Sequence, residues 1–239
     1  MKLEFFAPLW GFDDMPFEAF LDKACESGFS GIEMPFPREV VSESQRMKRV
    51  DLIKSRGLKL ISQHYETVTP DFTQYKEELT SRMFSILSTE PICVNSQTGL
   101  DFFEFEQSLE LIDLLDDMSQ QSGIPIYHET HRGRFNFAAH VCAKFVKARP
   151  NILQTADFSH FCCVAGNLLE HQQHNLEIIF PTIRLIHSRV GFSEGPQVSD
   201  PRAPEYKTEV ETHLAWWLEI LLQAKKRGCE HFPITTEFG

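Results

Sequence analysis

Four short segments of this sequence close on side chains that bind metal ions: PIYHE at Glu129, ILQTAD at Asp157, IRLIH at His187 and ITTE at Glu237. Each segment is apolar enough to be a buried strand. A carboxylate at the end of such a strand is costly to desolvate unless a cation or hydrogen bonds compensate it. Three carboxylates brought together also repel one another, and one divalent ion would remove that repulsion. Three carboxylates and one imidazole form a mostly hard ligand set, suited to Mn²⁺, Mg²⁺ or Co²⁺ and open also to Zn²⁺. Six-coordination would keep two positions for substrate oxygens. Taken singly, each group could instead cap its strand and pair with Arg132, Arg134 or Arg189. Equivalent positions on four successive segments favour the metal.

These ends need elements to hold them. Short apolar runs alternate with amphipathic stretches at intervals of roughly 30 residues, the size of a strand-helix unit. The runs predict eight strands, at Leu3 to Phe6, Gly31 to Met34, Leu58 to Gln63, Ile92 to Asn95, Pro125 to Glu129, Ile152 to Asp157, Ile183 to His187 and Phe232 to Glu237. Phe17, Phe20, Leu21, Ala24 and Cys25 mark one helical face stopped by Gly28, and Ser42 with Gln45 has capping-box spacing before a helix stopped by Gly57. Further helices are expected over about 72–88, 103–123, 136–150, 167–180 and 209–228.

Such an alternation builds either an open doubly wound sheet or a closed barrel. The first strand-helix turn carries no GxGxxG, so a closed α/β barrel of the (β/α)8 type, one domain over residues 1–239, is expected. No residues remain after the eighth strand for its outer helix, so the barrel is expected to lack that helix. The long stretch Gly191 to Tyr206 follows the seventh strand on the face where such barrels keep their sites, a position suited to a lid.

The chain has 239 residues, 42% of them hydrophobic, and a formal charge of −11. That charge disfavours nucleic acid and anionic membrane surfaces as partners and leaves a small neutral or metal-bridged ligand. No apolar run approaches a membrane span of roughly 18 residues, and the N-terminus does not read as a signal peptide. Cys25, Cys93, Cys142, Cys162, Cys163 and Cys229 form no CxxC pair and fit reduced core thiols in a cytoplasmic protein.

The segments GFSGIEMPFP, HETHRGR, TADFSH, HSRVG and the terminal TEFG, in this order and spacing, resemble the sugar phosphate isomerase/epimerase family of xylose isomerase-like TIM barrels. The resemblance covers nearly the whole chain. It implies that Glu129, Asp157, His187 and Glu237 hold one catalytic divalent ion, and that His160, in the Asp-x-x-His segment, contacts substrate beside it. It further implies that Glu129 and Glu237 move a proton at a carbon next to a ketose carbonyl, through an enediolate stabilised by the metal. Some family epimerases carry an arginine several residues beyond the metal-binding histidine; here Arg189 stands closer.

Other polar groups fit less specific roles. His64 could bind substrate or cap its strand, and the resemblance favours substrate. Glu33 could orient a neighbour. Asn95 and Gln97 suit hydroxyl binding or a turn, and Arg189, which would share a side with His187 on an extended segment, could hold an anionic or hydroxyl group of the substrate. His171 and His174 fall three apart on an expected solvated helix face, and Trp216 with Trp217 fits helix-to-barrel packing or a contact in a homo-oligomer. The reading that follows is a metal-dependent isomerase or epimerase acting on a carbohydrate. A dehydratase acting on a cyclic polyol or keto-sugar, a phosphodiesterase like the abasic-site endonucleases and a non-catalytic carbohydrate-binding barrel are the alternatives.

Overall fold

A computed structural model describes residues 1–12, 14–36 and 42–237. Eight parallel strands close into a barrel in sequence order: β1 (Lys2–Pro8), β2 (Gly31–Pro35), β3 (Lys59–His64), β4 (Cys93–Ser96), β5 (Ile126–Glu129), β6 (Gln154–Ala156), β7 (Ile183–His187) and β8 (His231–Thr235). The seam is a β1 to β8 pairing that runs from Lys2 opposite His231 to Phe6 opposite Thr235. Helices α1 (Phe17–Glu26), α2 (Glu43–Ser55), α3 (Phe72–Leu87), α4 (Phe105–Ser122), α5 (Ala139–Ala148), α6 (Ser159–Ala165), α7 (Gln173–Ile179) and α8 (Lys207–Lys226) connect them. None is long and apolar enough to cross a membrane.

The strand period of two decides what faces the barrel interior. Phe6, Ile61, Cys93 and Leu185 pack together there with Tyr127 and plug the middle of the barrel. Two residues further along β3, β4, β5 and β7 stand Gln63, Asn95, Glu129 and His187, so these four strands step from an apolar plug to a polar group at the C-terminal end. On β2 the same step leads from Gly31 to Glu33. A Cβ on Gly31 would lie 2.5 Å from the Phe6 ring and 2.3 Å from the Lys59 carbonyl oxygen, so the plug leaves room for glycine alone. Larger apolar clusters fill the space between strands and helices, the broadest joining Phe158, Phe161, Trp216 and Phe232.

Local signals place most helices where the sequence does. Ser42 and Gln45 form the expected capping box, and Gly123 ends α4 in the left-handed conformation. The sixth unit differs. Instead of one helix over about 167–180, it holds α6, ended by left-handed Gly166, and then the separate α7. His174 lies in α7 but His171 lies in the turn before it, so the expected shared helix face does not form. Seven residues of SHFCCVA are too short for a helical period to be visible, which is why α6 was not foreseen.

Strand β8 ends at Thr235 and β6 at Ala156, so Asp157 and Glu237 stand just beyond their ladders rather than within them. Among the described residues no helix follows β8. Phe5, Leu214 and Leu218 are exposed on that flank.

Candidate metal centre

At the C-terminal end of the barrel, Glu129, Asp157 and His187 each offer a ligand atom, all within 4.8 Å of one another. Glu237 joins them through Oε2, 2.8 Å from His187 Nδ1. All four side chains are buried, Asp157 completely and Glu237, the most open, to 9% exposure. The loop after β7 brings in Arg189. Its Nη2 pairs with Asp157 and its Nη1 lies 2.9 Å from Glu237 Oε1. Gly191 permits that approach, since a Cβ there would meet the Ser159 backbone at 2.7 Å.

Basic neighbours thus account for part of the charge. Arg189 does pair with the carboxylates. Arg134 does not, because it donates to the carbonyls of Tyr65 and Thr67 and so pins the loop after β3. Of the four buried carboxylates, counting Glu33, Arg189 pairs with Asp157 and Glu237, and among the described residues no arginine or lysine pairs with Glu129 or Glu33.

The imbalance appears in proton affinities. Burial, reinforced by the charges of Glu237, Asp157 and Glu33, pushes Glu129 up to about 7 against the pull of His187. Burial favours protonated Asp157 as well, but Arg189, with His160, His187 and the Ser159 hydroxyl, outweighs it and holds that carboxyl well below its usual range. Burial would lower His187, yet Glu33 and Glu237 together raise it well above the usual imidazole range. Without a metal ion, then, this cluster retains protons to limit its own repulsion.

The donor chemistry fits a divalent ion. His187 Nδ1 and Glu237 Oε2 are buried, and neither makes a hydrogen bond although they stand 2.8 Å apart. Two ligand atoms on one ion at bonds of about 2.1 Å and right angles lie about 3 Å apart, so this unbonded pair has the spacing of neighbouring ligands. On the other side of the ring, His187 Nε2 lies 3.0 Å from Glu33 Oε2, the carboxylate partner that metal-binding histidines commonly have.

The other residues singled out from sequence are placed as follows. Asn95 lies between two carboxylates, donating to Glu33 Oε1 at 2.9 Å and to Glu129 Oε2 at 2.8 Å. Gln97 donates to Glu129 at 3.3 Å. His64 is fully buried with both ring nitrogens engaged, Nδ1 by Ser96 and Nε2 by Thr67. His160 Nε2 accepts from Arg189 at 2.7 Å, and its Nδ1 is buried without a partner. Sequence reasoning passed over His131, whose ring lies 3.8 Å from that of His160 and which, with Glu129 and His160, makes a second group of close ligand atoms. The HETH string was a visible signal for it. Trp10, 6.0 Å from His187 between ring centres, was not foreseen either. Trp10, Gln63, Tyr65, Gln97 and Glu237 line a cleft of about 280 Å³ over the site, at the small end of the range for small-molecule pockets.

No protein-family model matches this sequence, and no curated protein matches it closely enough to be significant. Solved structures do resemble it. A xylose isomerase-like TIM barrel protein from Mycobacterium smegmatis in complex with magnesium superposes with a TM-score of 0.66 at 14% identity, over 99% of this chain and 90% of that one. The D-psicose 3-epimerase from Clostridium cellulolyticum H10, solved with D-tagatose, gives 0.64 at 15% identity over 100% of this chain and 85% of that one. The probable 3-DHS dehydratase AsbF of petrobactin synthesis from Bacillus anthracis gives 0.61 at 15% identity over 100% and 93%. The protein has the fold of the xylose isomerase-like TIM barrels.

Proposed function

We propose that the protein is a divalent-metal-dependent isomerase or epimerase of a sugar or sugar phosphate, working by proton transfer at a carbon next to a carbonyl. The observation that carries this reading is a pair of separately anchored carboxylates on the rim of one buried ligand cluster. Glu129 ends β5 and is held by Asn95 and Gln97, whereas Glu237 follows β8 and is held by Arg189. Asp157, just past β6, and His187, at the end of β7, stand between them. An ion held by Glu129, Asp157, His187 and Glu237 would polarise a substrate carbonyl and its neighbouring hydroxyl.

The chain's own residues divide the remaining work. Glu129, at the end of β5 and fixed by Asn95 and Gln97, is placed to remove a proton from carbon. Glu237, three strands further round the barrel, is placed to give or take a proton from another direction. Asn95 and Gln97 fix the Glu129 carboxylate, so its orientation costs no reorganisation during the reaction. Trp10 and Tyr65 wall the cleft. The likeness to sugar epimerases in fold supports this class over an unrelated one.

Incubating the metal-loaded protein with a panel of ketoses and ketose phosphates in deuterated water tests the proposal. Deuterium is expected at the carbon beside the carbonyl of both substrate and product. Turnover without exchange would point to a hydride shift and overturn the proton-transfer mechanism. Loss of water from the substrate would assign the site to the dehydratases.

A further inference from the structure

Glu33 is fully buried among the candidate ligands, yet it is not one of the four residues that would hold the ion. Three groups converge on its carboxylate. His187 Nε2 lies 3.1 Å from Oε1 and 3.0 Å from Oε2, the Asn95 amide donates to Oε1 at 2.9 Å, and the Thr235 hydroxyl donates to Oε2. They come from β7, β4 and β8, so a residue on β2 links groups from three other strands across the barrel interior.

An ionised carboxylate only accepts hydrogen bonds, and all three partners can donate one. The Asn95 nitrogen between Glu33 and Glu129 must be its amide nitrogen for the same reason, since an oxygen there would face two carboxylates. The Asn95 amide nitrogen also lies 3.2 Å from His187 Nε2, but its two hydrogens go to Glu33 and Glu129, so Nε2 does not accept from it and carries a proton toward Glu33. A neutral imidazole protonated at Nε2 has its lone pair at Nδ1, the atom that stands 2.8 Å from Glu237 Oε2 without a hydrogen bond. Were the proton at Nδ1 instead, the Nε2 lone pair would meet the Glu33 carboxylate and the imidazole could not serve the ion at Nδ1.

We propose that Glu33 is a positioning residue, which holds the Nε2 proton of His187 and thereby presents Nδ1 as the ligand atom for the divalent ion. This inference rests on the metal-centre reading above. Glu33 also ties Asn95, and through it Glu129, to the same carboxylate, so the orientation of two ligands depends on one side chain. The backbone of Thr235 pairs with His187 in the β7 to β8 ladder, but its hydroxyl bonds to the Glu33 carboxylate and to none of the four ligand side chains. It thus separates the support of Glu33 from what Glu33 does to His187.

Zinc binding by the full chain, measured by calorimetry, and the ¹⁵N spectrum of its zinc-loaded, histidine-labelled form test the inference. The Glu33→Gln variant keeps the shape of the side chain but offers an amide nitrogen in place of one acceptor. It is expected to lose about ten- to a hundredfold in zinc affinity, as carboxylate partners of metal-binding histidines generally do. Thr235→Val should lose far less. In the unaltered protein the His187 spectrum should show zinc at Nδ1 and a proton at Nε2. Zinc at Nε2, or a Glu33→Gln affinity equal to that of the unaltered chain, would overturn the inference while leaving the metal centre intact. An unaltered chain that binds no zinc, magnesium or manganese would overturn the metal-centre reading itself, and this inference with it. A Glu33→Gln chain that merely unfolds at lower temperature, with zinc affinity unchanged, would show a structural role and overturn the positioning one.

Discussion

His187 Nδ1 and Glu237 Oε2 lie 2.8 Å apart, both buried, and out of line for a hydrogen bond. At that distance they pair electrostatically in the metal-free chain. The same histidine is gripped from behind by Glu33 at 3.0 Å, so its ring cannot easily turn to satisfy Glu237 directly. The spacing suits two ligands of one ion, and the following outcomes depend on it.

Metal analysis of the purified chain is expected to find about one divalent ion per molecule after loading. The double change Glu129→Gln with Glu237→Gln removes two of the charged oxygens and should reduce occupancy at least tenfold. Equal metal content in variant and parent, by plasma mass spectrometry, would refute the ligand assignment.

Metal binding should release protons. In the metal-free protein His187 is held well above its usual range by Glu33 and Glu237, and Glu129 is near 7. Ligation needs both groups deprotonated, so about one to two protons leave per ion at neutral pH. Calorimetric enthalpies measured in two buffers of different ionisation enthalpy should differ accordingly. Affinity should rise as pH increases from about 6 to 8. Enthalpies independent of the buffer would contradict this.

The pH dependence of stability carries a separate signature from His128. Burial lowers its imidazole to about 3, whereas an unfolded chain would leave it near 6.5. The unfolded state therefore takes up a proton first as pH falls. The stability that neutral His128 provides is fully present above about 6.5 and is lost progressively toward 3. Between pH 7 and 5 this one group should remove about 2 kcal/mol. Urea unfolding of a His128→Gln variant should show a pH 7 to 5 loss smaller by about that amount, and an identical loss in both proteins would count against it.

Gly31→Ala tests the barrel plug. The added methyl meets the Lys59 carbonyl oxygen and the Phe6 ring at distances no contact tolerates, and the backbone oxygen cannot step aside. About 3 kcal/mol of destabilisation is expected, seen as a lowered melting temperature. A change below about 0.5 kcal/mol would mean that β2 and β3 are not packed as described.

Much of this was legible in the chain. Apolar runs bounded by turn residues located all eight strands, because a buried parallel strand must be nearly continuous in hydrophobic residues and its side chains alternate. The same alternation put Glu129 and His187 on the inner face, two residues beyond Tyr127 and Leu185, which plug the barrel. Ser42 with Gln45 announced α2, since a cap needs only a local pattern.

The sequence could determine these things because each depends on neighbours in the chain. What the tertiary structure alone decided depends on closure. Glu33 meets His187 across 154 positions of sequence, and only the rolled sheet brings β2 to face β7. The pairing of Arg189 with Asp157 and Glu237 joins three separate loops, so no spacing reveals it. Asn95, read from sequence as a binder of hydroxyls or a turn residue, spends both amide hydrogens on Glu33 and Glu129, because closure sets it between two carboxylates that local sequence cannot show.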